Sequence, residues 1–252
     1  MKKHSFSYLS IFVLTALPFT VSGATIITEN FDYADGNLTD NPAWTAHSGA
    51  TGLPISVSSS AATLSHGSGS REDANIAFPL TNSGTISAVF TLTVNDTAPI
   101  SGTDSEYFAH FGTGGGASGA SVGDFVGRLD VVPPTDSVNF DYSLGISSVT
   151  SSAEATYGTD FTFGDSITVR LDFNLDTGLT SLTVNAGTTT TPAAAGGAGT
   201  DVTAFTLRQS NSSSDESITI DSLVISDSTA VPEPSTALLG GLALLGLFRR
   251  RR

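Results

Sequence analysis

The chain is predicted to be all-β, an antiparallel two-sheet jelly-roll sandwich, and three features of its sequence lead there. Apolar and polar residues alternate with a period of two over the clearest segments, as a strand with one buried face requires. Clusters of Gly, Ser, Asn and Asp separate those segments and supply turns. No internal stretch carries the 3.6-residue period of a long amphipathic helix. About ten strands so spaced need two packed sheets to bury their apolar faces.

Taken in order, the chain opens with a signal peptide over residues 1–24. Lys2 and Lys3 form its basic end, Tyr8 to Phe19 its apolar segment and Ser22-Gly23-Ala24 a small-residue cleavage site, so cutting is expected after Ala24. The exported domain is then residues 25–230, enough chain for one core. Strands are expected over Ile26 to Phe31, Ile55 to Ser58 and Asn75 to Phe78, with Trp44 left in a polar loop behind Asn41-Pro42. In the strongest strand Ile86, Ala88, Phe90, Leu92 and Val94 alternate with Thr85, Ser87, Val89, Thr91 and Thr93. Tyr107 to Phe111, Phe125 to Val132 and Val138 to Leu144 come next. Ile167, Val169, Leu171 and Phe173 then alternate with Ser166, Thr168, Arg170 and Asp172. Leu182 to Val184, Val202 to Arg208 and Ile218 to Ile225 complete the set.

One hairpin can be set in register. Pairing Leu171 with Val184 and Phe173 with Leu182 centres its turn on Thr177-Gly178. A two-residue primed turn would force the β-branched Thr177 to positive φ, so a four-residue loop is expected, Asp176-Thr177-Gly178-Leu179, with Gly178 left-handed.

Charge excludes some partners. Outside the two terminal segments the basic residues are Arg71, Arg128, Arg170 and Arg208, facing 23 acids, for a net charge of −19 and no lysine. Nucleic acid and anionic lipid are therefore excluded as partners. A solvated acidic surface and a cation-binding one both remain open. The chain has no cysteine, so its stability rests on packing or metal.

The sequence offers no catalytic residues. A sandwich glycosidase needs two carboxylates across a cleft, commonly as Glu-x-Asp-x-x-Glu on one strand. Glu29, Glu72, Glu106, Glu154 and Glu216 are scattered, and Asp104-x-Glu106 is the nearest approach. Gly119-Ala-Ser-Val-Gly123 and Gly114-Gly-Gly-Ala-Ser-Gly119 match nucleophile and phosphate-loop patterns, but both sit in one Gly/Ser-rich loop with no helix behind them. Asp172, Asn174 and Asp176 place oxygens at alternate positions before Gly178. The glycine is one place late and Thr183 stands where an EF-hand needs Glu, so an EF-hand is rejected. Outward polar residues leading into a turn and a calcium site of another kind both remain. His47, His66 and His110 lack metal spacing. Carbohydrate recognition needs aromatic platforms, for which Trp44 is the first candidate, with Tyr33 and Tyr107 behind it. Thr188 to Gly197 reads as a low-complexity loop.

The last stretch is the most specific. Pro232 and Pro234 hold Val231 to Pro234 extended, and Ser235 caps an apolar helix from Thr236 to Phe248, closed by Arg249, Arg250, Arg251 and Arg252. That transmembrane helix is about 20 Å long, short of the roughly 30 Å hydrocarbon core, and its arginines stay cytoplasmic. Residues 231–252, with Val231, Pro232, Glu233 and Pro234 as the motif, resemble the PEP-CTERM sorting signal of Gram-negative bacteria. The resemblance implies export through the inner membrane, recognition by an exosortase that cuts near the Pro-Glu-Pro, and delivery to the cell surface or extracellular matrix.

The run from Thr168 to Asn185 is similar to a hairpin of concanavalin A-like and laminin-G-like sandwiches, and Glu29 to Leu38 and Ile218 to Ile225 fit the same picture. This resemblance implies that the first and last strands lie side by side. It also raises calcium as a cofactor and extracellular polysaccharide as a partner. The sequence thus reads as an exported, non-catalytic binding or structural module, with a lectin-like module as the alternative and a glycan-active enzyme last.

Overall fold

The computed structural model describes residues 23–102, 106–114, 122–186, 189–190, 195–210 and 216–228. The predicted signal segment before Gly23, the Gly/Ser-rich stretch 115–121 and the whole sorting tail lie outside the described residues. No helix of the described residues is long and apolar enough to cross a membrane.

In chain order the strands are β1 Ala24–Glu29, β2 Gly36–Asn37, β3 Trp44–Ser48, β4 Ser56–Ser58 and β5 Ala61–Ser65. Then come β6 Asp73–Thr81, β7 Thr85–Asn95, β8 Glu106–Gly114, β9 Val122–Val132, β10 Ser143–Ser147 and β11 Ala155–Thr156. The last five are β12 Ser166–Asn174, β13 Leu179–Val184, β14 Thr189–Thr190, β15 Val202–Leu207 and β16 Ser217–Asp227. They form two antiparallel sheets, as predicted. The nine-stranded sheet runs β14-β13-β12-β7-β16-β5-β4-β2 with β1 also on β16, and the seven-stranded sheet runs β11-β10-β9-β8-β15-β6-β3.

The alternation of β7 and β12 becomes the heart of the core. Ile167 lies opposite Leu92, Val169 opposite Phe90, Leu171 opposite Ala88 and Phe173 opposite Ile86. All are buried against the other sheet. Burying each large apolar side chain stabilises the fold by roughly 1.5–3 kcal/mol. The first and last strands are neighbours, Ala24 opposite Asp227 and Glu29 opposite Leu223. The last strand can hold two partners on one side because its register breaks between Asp221 and Val224, where Ser222 adopts φ 56°. Its first half therefore pairs with β5 and its second half with β1.

Three local expectations need correction. Val138 is 89% exposed, and the segment predicted as a strand from Val138 starts only at Ser143. Asp136 explains the delay: its carboxylate accepts from Val138 N at 3.2 Å and from Asn139 Nδ2 at 2.7 Å, closing a turn. Trp44 opens β3 instead of sitting in a loop. The β12–β13 hairpin has a four-residue loop with Gly178 at φ 72°, but the loop is Leu175 to Gly178, and Leu171 faces Leu182 where Val184 was expected.

The shift has a cause in the turn. Leu175 leaves the strand to bury its side chain and donates its N–H to Gly84 O at 2.8 Å. Gly178 N then closes on Asn174 O at 2.7 Å, and Asn174 Oδ1 accepts from Thr177 N at 2.8 Å. A Cβ on Gly178 would lie 2.6 Å from the Gly196 carbonyl oxygen. Gly178→Ala is expected to cost on the order of 1–3 kcal/mol in a denaturant melt, and an unchanged midpoint would contradict this turn.

Candidate functional site

Trp44, the first sequence candidate for a sugar platform, is 2% exposed, so it offers no open stacking face, although it contributes to the wall of a cavity at the β3 edge. Its ring stacks on Phe31 with centroids 6.0 Å apart, and its Nε1–H donates to Glu29 Oε2 at 3.0 Å. Tyr33 O–H donates to the same oxygen. The other oxygen of Glu29 accepts from Phe31 N at 2.6 Å, which fixes Phe31 at φ 53°. Burial, and then the Glu29 carboxylate, raises the Tyr33 phenol well above its usual value. Two of the three predicted platform residues therefore build a buried clasp around one carboxylate. A cavity of about 460 Å³ at the β3 edge is lined in part by Thr39, Pro42, Thr45 and Glu72. Burial raises the Glu72 carboxyl, which accepts from Thr39 Oγ1 at 3.1 Å.

The predicted metal ligands are drawn to separate partners. Asp172 pairs with Arg170 Nε at 2.9 Å and accepts from Ser87 Oγ. Asn174 caps the hairpin turn, and Asp176 Oδ2 accepts from Gly84 N at 3.1 Å. Among the described residues no group of three or more His, Cys, Asp or Glu side chains is placed to hold a metal ion.

Tyr107 has a different setting. Residues directly opposite one another in antiparallel strands share a face. Thr45, Asn75, Thr206 and His110 therefore form one row across β3, β6, β15 and β8 on the outer face of the seven-stranded sheet. Arg128, paired with Ser147, continues the row onto β9, and Tyr107 lies beside it opposite Asp130. Bulges at Tyr107/Ala109 and Ala109/Phe111 turn successive β8 side chains, so Tyr107 and His110 reach the same face.

The Tyr107 ring gathers two guanidinium groups, Arg128 at 4.6 Å and Arg208 at 4.2 Å from its centroid. Arg208 also pairs with Glu106 at 3.3 Å, and Glu106 accepts from Ser210 Oγ. His110 packs 4.3 Å from Phe125 and 5.6 Å from Tyr107, centroid to centroid. Its Nδ1 lies 3.0 Å from Phe111 O. A carbonyl only accepts, so Nδ1 carries the proton and Nε2 presents a lone pair. Burial holds this imidazole neutral, its pKa pushed down to about 3. Burial also lowers the Arg128 pKa. Among the described residues, none is a hydrogen-bond partner to the buried atoms His110 Nε2, Thr206 Oγ1 and Arg128 Nε. These three atoms lie on the adjacent strands β8, β15 and β9.

Of the sequence candidates, Tyr107 alone belongs to this cluster. Arg128, Arg208, His110, Thr206 and Phe125 were missed, although the scarcity of arginine was a usable signal: two of the four in the domain meet on one ring.

Fold and site define the class: an antiparallel two-sheet sandwich with a polar and aromatic cluster on the outer face of one sheet. Its tail is more particular, because residues 230–252 match the PEP-CTERM protein-sorting motif. That motif marks an exported, membrane-anchored precursor, processed by an exosortase-family sorting enzyme and destined for the cell surface or extracellular matrix. No curated protein matches the chain. Among solved structures, the potassium-bound carbohydrate recognition domain of Emp46p is similar over 81% of this chain and 96% of its own, at 14% identity and a TM-score of 0.47. The lectin UEA-II complexed with galactose is similar over 81% of this chain and 99% of its own, at 13% identity and a TM-score of 0.48. Basic winged bean lectin with Tn-antigen is similar over 79% and 97%, at 12% identity and a TM-score of 0.47.

Proposed function

We propose that the exported module, residues 25–230, is a non-catalytic carbohydrate-binding domain that works at the cell surface through the outer face of its seven-stranded sheet. One observation carries this reading: two guanidinium groups converge on Tyr107 beside three buried polar atoms that lack partners. Guanidinium, hydroxyl and imidazole groups around aromatic rings suit the hydroxyls and C–H faces of a sugar. An extracellular polysaccharide is the natural partner for a protein delivered to the matrix. The donors and acceptors of the cluster come from protein side chains, so binding needs no calcium, and a chelator leaves it unchanged.

The test is a binding screen of the full chain against immobilised polysaccharides, repeated with Arg208→Ala and Tyr107→Ala. Each substitution is expected to weaken binding by about tenfold or more, as loss of a central aromatic or arginine contact does. Absence of binding to every glycan would leave the module a structural matrix component, and glycan affinity untouched by both substitutions would overturn the assignment to this face.

A further inference from the structure

The chemistry of the row narrows the ligand. We infer that the sugar is uncharged and is held through neighbouring hydroxyl groups by His110, Thr206 and Arg128, reached through the small cavity beside Phe125. This rests on the carbohydrate reading above and goes beyond it in naming the class of sugar.

The three atoms differ in polarity. His110 Nε2 can only accept, because its ring proton is committed to Phe111 O. Arg128 Nε–H can only donate, and Thr206 Oγ can do either. A sugar hydroxyl both donates and accepts, so adjacent hydroxyls satisfy all three at once. A carboxylate or sulfate only accepts, and it would set a negative charge against the His110 lone pair. The surroundings act in the same direction. The two guanidinium groups are matched by acids: Arg208 is already paired with Glu106 at 3.3 Å, Asp130 lies opposite Tyr107 on this face and Asp124 lines the cavity, so the site offers an anion no net positive charge.

Access is built in. A cavity of about 300 Å³ is lined by Phe125, Arg128, Thr200 and Val149 among others, and its size suits a small ligand. Phe125, half-buried, stands between this cavity and the His110 ring, 4.3 Å away. Rotation of this one side chain would open the row to the cavity. The Phe125 ring then offers a face for sugar C–H groups.

The experiment compares matched polysaccharides on the full chain: mannan against alginate, and galactan against polygalacturonate. A neutral member is expected to bind about tenfold or more tightly than its acidic counterpart. Thr206→Val keeps the side-chain shape and removes one unpartnered hydroxyl, so it should melt at or above the wild-type temperature while losing about tenfold in affinity for the neutral glycan. His110→Leu should lose a similar factor. Preference for the acidic member overturns this inference, as does neutral binding unaffected by both substitutions. Acidic binding that remains sensitive to Arg208→Ala and Tyr107→Ala leaves the carbohydrate function standing, whereas no binding to any glycan removes both readings.

Discussion

Replacing Glu29 with alanine is expected to lower stability by about 3–5 kcal/mol and the melting temperature by roughly 10 °C. The size follows from what one carboxylate holds. It accepts from Trp44 Nε1, Tyr33 O–H and Phe31 N, and it is 6% exposed. Alanine leaves the Trp44 indole N–H within a packed interior, takes the acceptor from the half-buried Tyr33 hydroxyl and frees the N–H of Phe31, a residue at φ 53°, a strained angle for phenylalanine. Glu29→Gln keeps the shape with weaker acceptors and should lose less. Trp44→Phe removes one donor and keeps the stacking on Phe31, so it should cost about 1–2 kcal/mol. Thermal melts of the three variants check the order; a Glu29→Ala protein melting with wild type would mean the clasp is not formed.

The second large effect is acid instability centred on two histidines. His66 and His110 are buried, and desolvation pushes each pKa down to about 3, with the charge of Arg208 adding to the shift at both. A free imidazole titrates near 6.5, so between those values the unfolded chain binds protons that the folded one refuses. The stabilisation is therefore complete above about pH 6.5 and is lost as pH falls towards 3, on the order of 3 kcal/mol for His110 by pH 4 and less for His66, whose Nδ1 has the buried Glu216 carboxylate 3.5 Å away to favour its protonated form. Glu72 works in the opposite direction, because burial raises its carboxyl and protonation then favours the fold. One raised carboxyl does not offset two histidines, and Asp136, lowered by its hydrogen bond from Asn139, acts in the histidines' direction. Melts at pH 7.5 and pH 4.5 should show a steep loss in the wild type and a shallower one in a His66→Gln/His110→Gln double variant. Equal losses would assign the acid sensitivity elsewhere.

Part of the fold was legible because its signals are local. Alternation in Thr85 to Val94 and Ser166 to Phe173 gave two strands, because a strand with one buried face imposes its period on consecutive residues. Gly178 was legible as left-handed because the loop needs positive φ, which glycine adopts without steric cost. The hairpin register was not, because the buried side chain of Leu175 and its bond to Gly84 O set it, and Gly84 lies in another turn.

The site was mostly illegible for the same reason. Whether Trp44 faces water depends on Glu29, whether Asp172 is free for a metal depends on Ser87, and neither partner is near in sequence. Arg128 belongs to β9 and Arg208 directly follows β15, strands that are not neighbours and meet only because both flank β8, where a bulge aims Tyr107 at the same face. By itself the sequence determined the address, the acidic charge that excludes nucleic acid, and the all-β class, since each is a sum or a pattern over neighbouring residues. The tertiary structure alone decided which aromatic ring is buried, which carboxylates are spent and which polar atoms lack partners. Those outcomes rest on strand order and bulges, which bring together residues that the chain keeps far apart, 102 positions for Glu106 and Arg208.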